Sequence, residues 1–409
     1  MRLRLSPLSN NRIQTEIQIT GSKSETNRSL LLQALFPDLK IANLSNSDDA
    51  VVMQKGLAIS NGNVDIHHAG TAMRFLTAYF ASQEEKEVVL TGSSRMQERP
   101  IKILVEALRD LGADIVYLGE EGYPPLKIKG KQLTKSAVEL PANISSQYIS
   151  ALLLIAPNLK NGLELHLVGK ITSVPYIEMT LGLLHQIGVQ TSFKGQVIKV
   201  DPKKEVDPKT LVVESDWSAA SYFYSIMALV EPESQITLSS YRKDSLQGDS
   251  VLAEIYRDFG VETHFENHKI VLRKFSSPKP KTLEYDLSNA PDIAQTIAVT
   301  CFALGIGCHL SGLHTLPIKE TDRLSAMKTE LEKFGASVSI TEESLMLQPS
   351  EIKCVDVSVD TYNDHRMAMA FAPLAIKTGF TINDAEVVSK SYPDFWEDMK
   401  KVGIEIKSV

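Results

Sequence analysis

The sequence predicts an α/β protein of two domains assembled from a repeated unit. The first observation behind this is length, because 409 residues exceed what one hydrophobic core comfortably serves. The second is an internal repeat. An amphipathic helix, a glycine and an alternating strand recur as VEALRDLGADIVYL at Gly112, LGLLHQIGVQTSF at Gly188, AEIYRDFGVETHF at Gly260, KTELEKFGASVSI at Gly335 and DMKKVGIEIKSV at Gly403. Glycine suits the left-handed position that ends a helix, and period-two alternation after it reads as a strand. The copies lie about 70 residues apart, longer than the roughly 20–50 residues of solenoid repeats. This spacing suits a unit of two helices and several strands present about six times, with a weaker copy expected around Gly62 in GLAISNGNVDIH.

Between these marks, ISSQYISALLLIAP, SDWSAASYFYSIMALV and PDIAQTIAVTCFALG read as helices, each opened by Ser, Asp or Pro. EVVLTG, LELHLVG, SQITLSS and HKIVLRK read as strands. The composition is that of an ordinary soluble enzyme, with 43% hydrophobic and 23% charged residues. A net charge of −7 argues against general binding to nucleic acid or acidic membrane. No window approaches the roughly 20 apolar residues of a membrane span, and no signal peptide is expected. Cys301, Cys308 and Cys354 lack metal-ligand spacing, so free thiols in a reducing cytoplasm are expected. The histidines form no HExxH-like pair, and no structural metal is expected.

The chemistry concentrates at helix starts. In TYNDHRMAMAFAPLA, Asp364, His365 and Arg366 stand directly before an apolar run that reads as a buried helix, with Asp364 as its N-cap. A helix N-terminus and a guanidinium together make a strong anion site. The pattern recurs with Lys319 and Arg323 in IKETDRL and with Lys23 and Arg28 in GSKSETNRSLLL. It recurs again with Arg95 and Arg99 in RMQERPI and with Arg74 in HAGTAMRFL. An acidic protein that places cations at helix starts points to one or two small substrates with several negative charges. Taken singly, each residue has a plainer reading. Arg99 or Arg323 suits a surface ion pair, Asp292 after Pro291 suits a helix start, and Ser145 and Ser146 suit capping. His365 reads as a hydrogen-bonded structural histidine rather than a catalyst.

Several motifs follow one another from end to end: GSKSETNRS, AGTAMR, RMQERPI, SSQY, SVPYIEMTL, APDIAQTIA, IKETDRL, YNDHRMAMAF and SKSYPDFWEDM. In this order they resemble the 5-enolpyruvylshikimate-3-phosphate synthase family, the 3-phosphoshikimate 1-carboxyvinyltransferases. The resemblance implies a two-domain inside-out α/β barrel with six βαβαββ repeats, three per domain. It implies chain crossings near Thr20–Ser22 and Val213–Asp216. Residues 22–213 would carry the shikimate 3-phosphate motifs. Residues 1–21 with 214–409 would carry most phosphoenolpyruvate-binding and acid/base residues, with the active site in the cleft between the domains.

The implied reaction moves the enolpyruvyl group of phosphoenolpyruvate to the 5-hydroxyl of shikimate 3-phosphate, by addition and then elimination of phosphate. It needs no cofactor and no metal. On the family pattern Lys23, Asp292 and Glu320 are catalytic. Asp292 accepts the 5-hydroxyl proton, Glu320 serves C3 of phosphoenolpyruvate, and Lys23 touches both substrates. Ser24, Arg28, Ser145, Ser146, Gln147, Ser173, Tyr176 and Lys319 complete the shikimate 3-phosphate set with Lys23 and Asp292. Arg28 faces the carboxylate and the three serines after it face the phosphate. Gly70, Arg99, Arg323, Arg366 and Lys390 bind phosphoenolpyruvate together with Lys23 and Gln147. A cytoplasmic monomer without nucleic-acid or membrane partners is expected.

Three departures from the family pattern stand out: His68 and Thr315, each where Asn is usual, and Phe75 where proline is frequent. Phe75 is expected to push the helix after Gly70 towards the phosphoenolpyruvate pocket. The nearest alternative is the related transferase acting on UDP-N-acetylglucosamine. That relative usually has a reactive cysteine in its N-terminal half, whereas all three cysteines here follow residue 300. An RNA-end-processing enzyme on a related repeat would favour a more basic surface. A non-catalytic binding module would have lost Lys23, Asp292 or Glu320, and all three are present.

Overall fold

The computed structural model describes residues 1–7, 12–142, 145–169, 171, 173–276 and 280–409. The chain forms two compact units, Gly21–Val213 and Met1–Thr20 with Glu214–Val409. Each is an inside-out α/β barrel, with buried helices in the middle and sheets around them.

In the unit Gly21–Val213, one sheet runs Asn61–Asp65, Glu87–Thr91, Leu126–Lys129, Asp114–Tyr117 in spatial order. The first pair is parallel, with Val64 opposite Leu90, and the other two pairs are antiparallel. Parallel neighbours need a crossover, which the helix Gly70–Ala81 supplies. The helix Lys102–Leu111 then leads to a hairpin, completing βαβαββ. The second repeat has the same order, with strands Ala137–Pro141, Leu163–Val168, Thr191–Lys194 and Val197–Val200. Its helices are Ser146–Ile155 and Val174–Gln186. Ile144, the first residue of the predicted ISSQY helix, lies outside the described residues. The third sheet is a parallel pair, Leu39–Ala42 with Lys209–Val212, beside the helices Lys23–Leu35 and Asp48–Leu57.

The other unit has three four-stranded sheets, and the N-terminal segment belongs to two of them. Gln14–Ile17 pairs parallel to Gln235–Ser239, so it opens the first repeat of that unit. Leu3–Ser6 lies between Phe380–Ile382 and Glu405–Ser408, so it closes the last. At the return of the chain, the Glu214 carboxylate is buried and accepts bonds from Trp217 Nε1 at 2.9 Å, Arg242 N at 2.8 Å and Ser245 Oγ at 2.6 Å. Burial lifts its pKa, and those donors offset part of the cost.

The middle helices explain the apolar runs. All thirteen residues of Trp217–Leu229 are buried, which a helix hydrophobic on every side requires. It packs with Ala294–Leu304 and with the short helical segment Ala372–Ile376. In the other unit, Lys23–Leu35, Gly70–Ala81 and Ser146–Ile155 pack together likewise. The first half of Lys23–Leu35 is different, because Glu25, Thr26, Asn27, Arg28 and Ser29 are polar and buried.

All five repeat glycines have positive φ, from 75° at Gly260 to 111° at Gly112. Gly62 differs from expectation. The helix Asp48–Leu57 ends at Ala58 in right-handed geometry, and Gly62 is itself a strand residue opposite Val88.

Candidate active site

In the unit containing residues 214–409, two capped helix starts converge on one ionic cluster. Asp364 caps the helix His365–Phe371 and accepts from Arg366 N at 2.9 Å. Asp322 caps Arg323–Lys333 and accepts from Leu324 N and Ser325 N, both at 3.1 Å. Those caps aim the side chains that follow. Arg323 is 2% exposed and grips three carboxylates. It donates to Asp364 through Nε at 2.7 Å and Nη2 at 3.3 Å, to Asp292 Oδ1 through Nη1 at 3.0 Å, and to Glu320 Oε2 through Nη2 at 2.9 Å. Arg366 Nη2 donates to Asp292 Oδ2 at 3.0 Å and to Ser218 Oγ at 3.2 Å. Lys390 Nζ donates to Glu320 Oε1 at 2.9 Å, and Lys319 Nζ lies 3.6 Å from Asp292 Oδ1.

Four cations therefore interlock with Asp292, Glu320 and Asp364. Burial opposes the charge on Arg323, but Asp364, Glu320 and Asp292 together lift its pKa above the ordinary arginine value. Arg366 is likewise raised, against burial, chiefly by Asp292. Lys319 faces Asp292, which favours its charge, yet burial and Arg323 hold its pKa below the ordinary lysine value. Buried Asp249 sits beside this cluster. Burial and then Asp292 push its pKa up to about 7.

In the unit Gly21–Val213 the cations have different company. Ser22 caps the helix Lys23–Leu35, accepting from Glu25 N at 3.5 Å. Lys23 Nζ lies 3.6 Å from Asp49 Oδ2, in the first turn of Asp48–Leu57. Arg28 is buried, and its hydrogen bonds go to neutral oxygens. Nε donates to Thr180 Oγ1 at 2.8 Å, Nη1 to the Ser24 carbonyl at 2.9 Å, and Nη2 to Ser150 Oγ at 3.0 Å and the Tyr176 carbonyl at 3.3 Å. Burial pushes its pKa down to about 10, so it stays charged at neutral pH.

The serines stand at helix starts in the same unit. Ser145 caps Ser146–Ile155, accepting from Gln147 N at 3.3 Å, and Gln147 Nε2 donates to Thr71 Oγ1 at 3.3 Å. Ser173 precedes Val174–Gln186 at φ 54°, a left-handed conformation that a non-glycine residue rarely adopts. Serine hydroxyls beside unpaired helix N–H groups suit a phosphate. The Arg99 guanidinium lies against Gly70. A Cβ there would stand 2.6 Å from Arg99 Nη1 and 3.1 Å from its Cζ.

Two other predicted helix-start cations are held by groups near them in the chain. Arg95 is exposed and paired with Glu98 at 2.8 Å. Arg74 is buried within its helix, where Nη1 donates to the Gly70 carbonyl at 3.2 Å and Nη2 to that of Pro100 at 3.1 Å. His365 is buried with Nδ1 3.6 Å from Asp364 Oδ1. Asp49, Asp249, Ser150, Thr180 and Ser218 were not singled out from sequence. Asp49, Asp249 and Ser218 look like ordinary first-turn residues until their neighbours are known, and Ser150 and Thr180 are hydroxyls further along their helices, which carry no local signal.

The sequence profile described as EPSP synthase (3-phosphoshikimate 1-carboxyvinyltransferase) matches residues 39–399. A 3-phosphoshikimate 1-carboxyvinyltransferase of Bacteroides fragilis is 47% identical over 401 residues, covering 97% of each chain. One from Haemophilus influenzae is 35% identical over 434 residues, covering 98% of this chain and 99% of that one. Among solved structures, EPSP synthase from Acinetobacter baumannii superposes with a TM-score of 0.79 at 20% identity over the full length of both chains. The enolpyruvyl transferase NikO from Streptomyces tendae gives 0.74 at 12% identity, covering 99% of this chain and 98% of that one.

Proposed function

The chain belongs to the EPSP synthase (3-phosphoshikimate 1-carboxyvinyltransferase) family, and from that premise we propose how its residues divide the work. The enzyme transfers the enolpyruvyl group of phosphoenolpyruvate to the 5-hydroxyl of shikimate 3-phosphate, within the shikimate pathway and aromatic amino acid biosynthesis.

The reading of individual residues rests most on the ionic cluster around Asp292. Two guanidiniums and a lysine surround this carboxylate, which suits a base placed where anionic substrates arrive. Arg323, Arg366 and Lys390 take the phosphate and carboxylate of phosphoenolpyruvate, with Arg99 and the backbone at Gly70 in the other unit. An anion on Arg323 and Arg366 offsets their charge and raises the basicity of Asp292, which then accepts the 5-hydroxyl proton. The hydroxyl oxygen bonds to C2 while C3 takes up a proton. Loss of phosphate and of a C3 proton then leaves the enol ether. Glu320, held between Arg323 and Lys390, serves C3. Lys23 contacts both substrates, and Gln147 lies between them. Ser24, Arg28, Ser145, Ser146, Ser173, Tyr176 and Lys319 hold shikimate 3-phosphate. Residues 22–213 thus act mainly on that substrate, and the rest of the chain mainly on phosphoenolpyruvate.

No helix among the described residues is long and apolar enough to cross a membrane. A cytoplasmic monomer is our reading for location and assembly. Purified protein is expected to release phosphate only when both substrates are present, without added metal or nucleotide. Full activity with UDP-N-acetylglucosamine as sole acceptor would overturn the assignment.

Glyphosate, a phosphonate longer than phosphoenolpyruvate, is proposed to compete for the same pocket. Gly70→Ala places a methyl against the end of the flexible Arg99 side chain, so the fold tolerates it while the guanidinium moves. Losing one charge-assisted contact, about 1.5–3 kcal/mol, raises the glyphosate inhibition constant roughly ten- to a hundredfold. A smaller rise is expected in the phosphoenolpyruvate KM. Steady-state kinetics of both ligands checks this, and unchanged inhibition means Arg99 does not touch the inhibitor.

A further inference from the structure

Phe75 is fully buried in the helix Gly70–Ala81, and the Arg28 guanidinium carbon lies 5.4 Å from its ring centroid. The Tyr176 ring is 5.9 Å away from the same atom. Four N–H donors of Arg28 are committed to Thr180, Ser24, Ser150 and Tyr176, which come from four places on three helices. A guanidinium has five such donors, so one on Nη1 remains to reach a ligand. Its direction follows the tilt of the whole planar group, which those four hydrogen bonds and the Phe75 ring over the guanidinium carbon hold together. No ion pair compensates Arg28 among these contacts; against burial, Tyr176 and then Glu25, on its own helix, favour its charge. A buried cation with neutral hydrogen-bond partners is a strong receptor for a carboxylate, provided it cannot swing away.

We infer that Phe75 is a positioning residue for the shikimate 3-phosphate site, holding the Arg28 guanidinium towards the acceptor's carboxylate. This rests on the reading of Arg28 given above. It differs from the sequence-based expectation that Phe75 acts on the phosphoenolpyruvate pocket. The ring touches the cation assigned to the other substrate.

The test measures shikimate 3-phosphate affinity by calorimetry, and KM for each substrate, in full-length Phe75→Leu, Phe75→Met, Phe75→Tyr, Arg28→Lys and the double variant F75L/R28K. Phe75→Leu and Phe75→Met remove the π face, and Met serves if Leu impairs folding. Either is expected to weaken shikimate 3-phosphate about five- to thirtyfold, the equivalent of a desolvated cation–π contact of about 1–2 kcal/mol. Phosphoenolpyruvate KM at saturating acceptor should change less than about twofold. Phe75→Tyr keeps the ring and should restore affinity. In the Arg28→Lys background, Phe75→Leu should cost less than about twofold, because its effect runs through the guanidinium. Additive losses, a larger effect on phosphoenolpyruvate or glyphosate, or an unchanged acceptor affinity beside a weakened Arg28→Lys would each overturn the inference. An unchanged affinity in Arg28→Lys itself would instead overturn the role given to Arg28.

Discussion

Asp292→Asn is expected to reduce kcat by about 10²–10⁴ while leaving substrate binding nearly intact, the loss typical of a positioned general base. The geometry explains the split. Asp292 accepts from Arg323 Nη1 on Oδ1 and from Arg366 Nη2 on Oδ2, and the isosteric amide keeps an oxygen for one of these donors while its NH2 group replaces the acceptor of the other. Removing a negative charge from among three cations does not weaken their hold on anionic ligands. The phosphoenolpyruvate KM should stay level or fall. Pre-steady-state and steady-state kinetics with both substrates separate chemistry from binding. Retained turnover with a raised KM would mean that Asp292 only positions ligands. Glu320→Gln should show the same kinetic pattern, since Glu320 is similarly held between Arg323 and Lys390.

Arg323→Ala is expected to lose both stability and phosphoenolpyruvate affinity, more severely than Arg366→Ala. Arg323 neutralises Asp364, Asp292 and Glu320 at a site only 2% exposed, and Asp364 is fully buried. Breaking a buried pair by deleting one partner typically costs about 3–5 kcal/mol, because the remaining charge stays desolvated. Arg366 makes one of these ion pairs, with Asp292, so its loss strands less charge. Thermal melting should therefore fall further for Arg323→Ala, while calorimetry shows both variants weak for phosphoenolpyruvate. Arg28→Ala offers the contrast, since its partners are hydroxyls and carbonyls. It should weaken shikimate 3-phosphate chiefly. Equal melting points for Arg323→Ala and the wild type would show that the three carboxylates do not depend on it.

The repeat was legible in the sequence because it depends on local rules. Gly112, Gly188, Gly335 and Gly403 each stand where a helix must stop and positive φ is needed, and the strand alternation follows at once. Gly62 misled because the same short pattern also arises when a glycine lies inside a strand. The caps Ser145, Asp216 and Asp364 were readable for the same local reason. Helix-start cations were readable as a class, but not their individual fates.

By itself, then, the sequence determined the α/β repeat, the capped helix starts that gather cations, and the family whose motifs it carries in order. These follow from interactions spanning a few residues, and a short window contains them. Tertiary structure alone decided which cations meet carboxylates and which meet neutral oxygens. Arg323 and Arg28 look alike in sequence, yet one grips Asp364, Asp292 and Glu320 while the other lies over Phe75 among hydroxyls and carbonyls. It also decided that Arg74 is enclosed by carbonyls and that Arg95 is a surface ion pair. The partners in these contacts lie up to about 150 positions apart in the chain, as Arg28 and Thr180 do. Burial and pairing set the energy of a charge, and both depend on which distant helices the fold brings together.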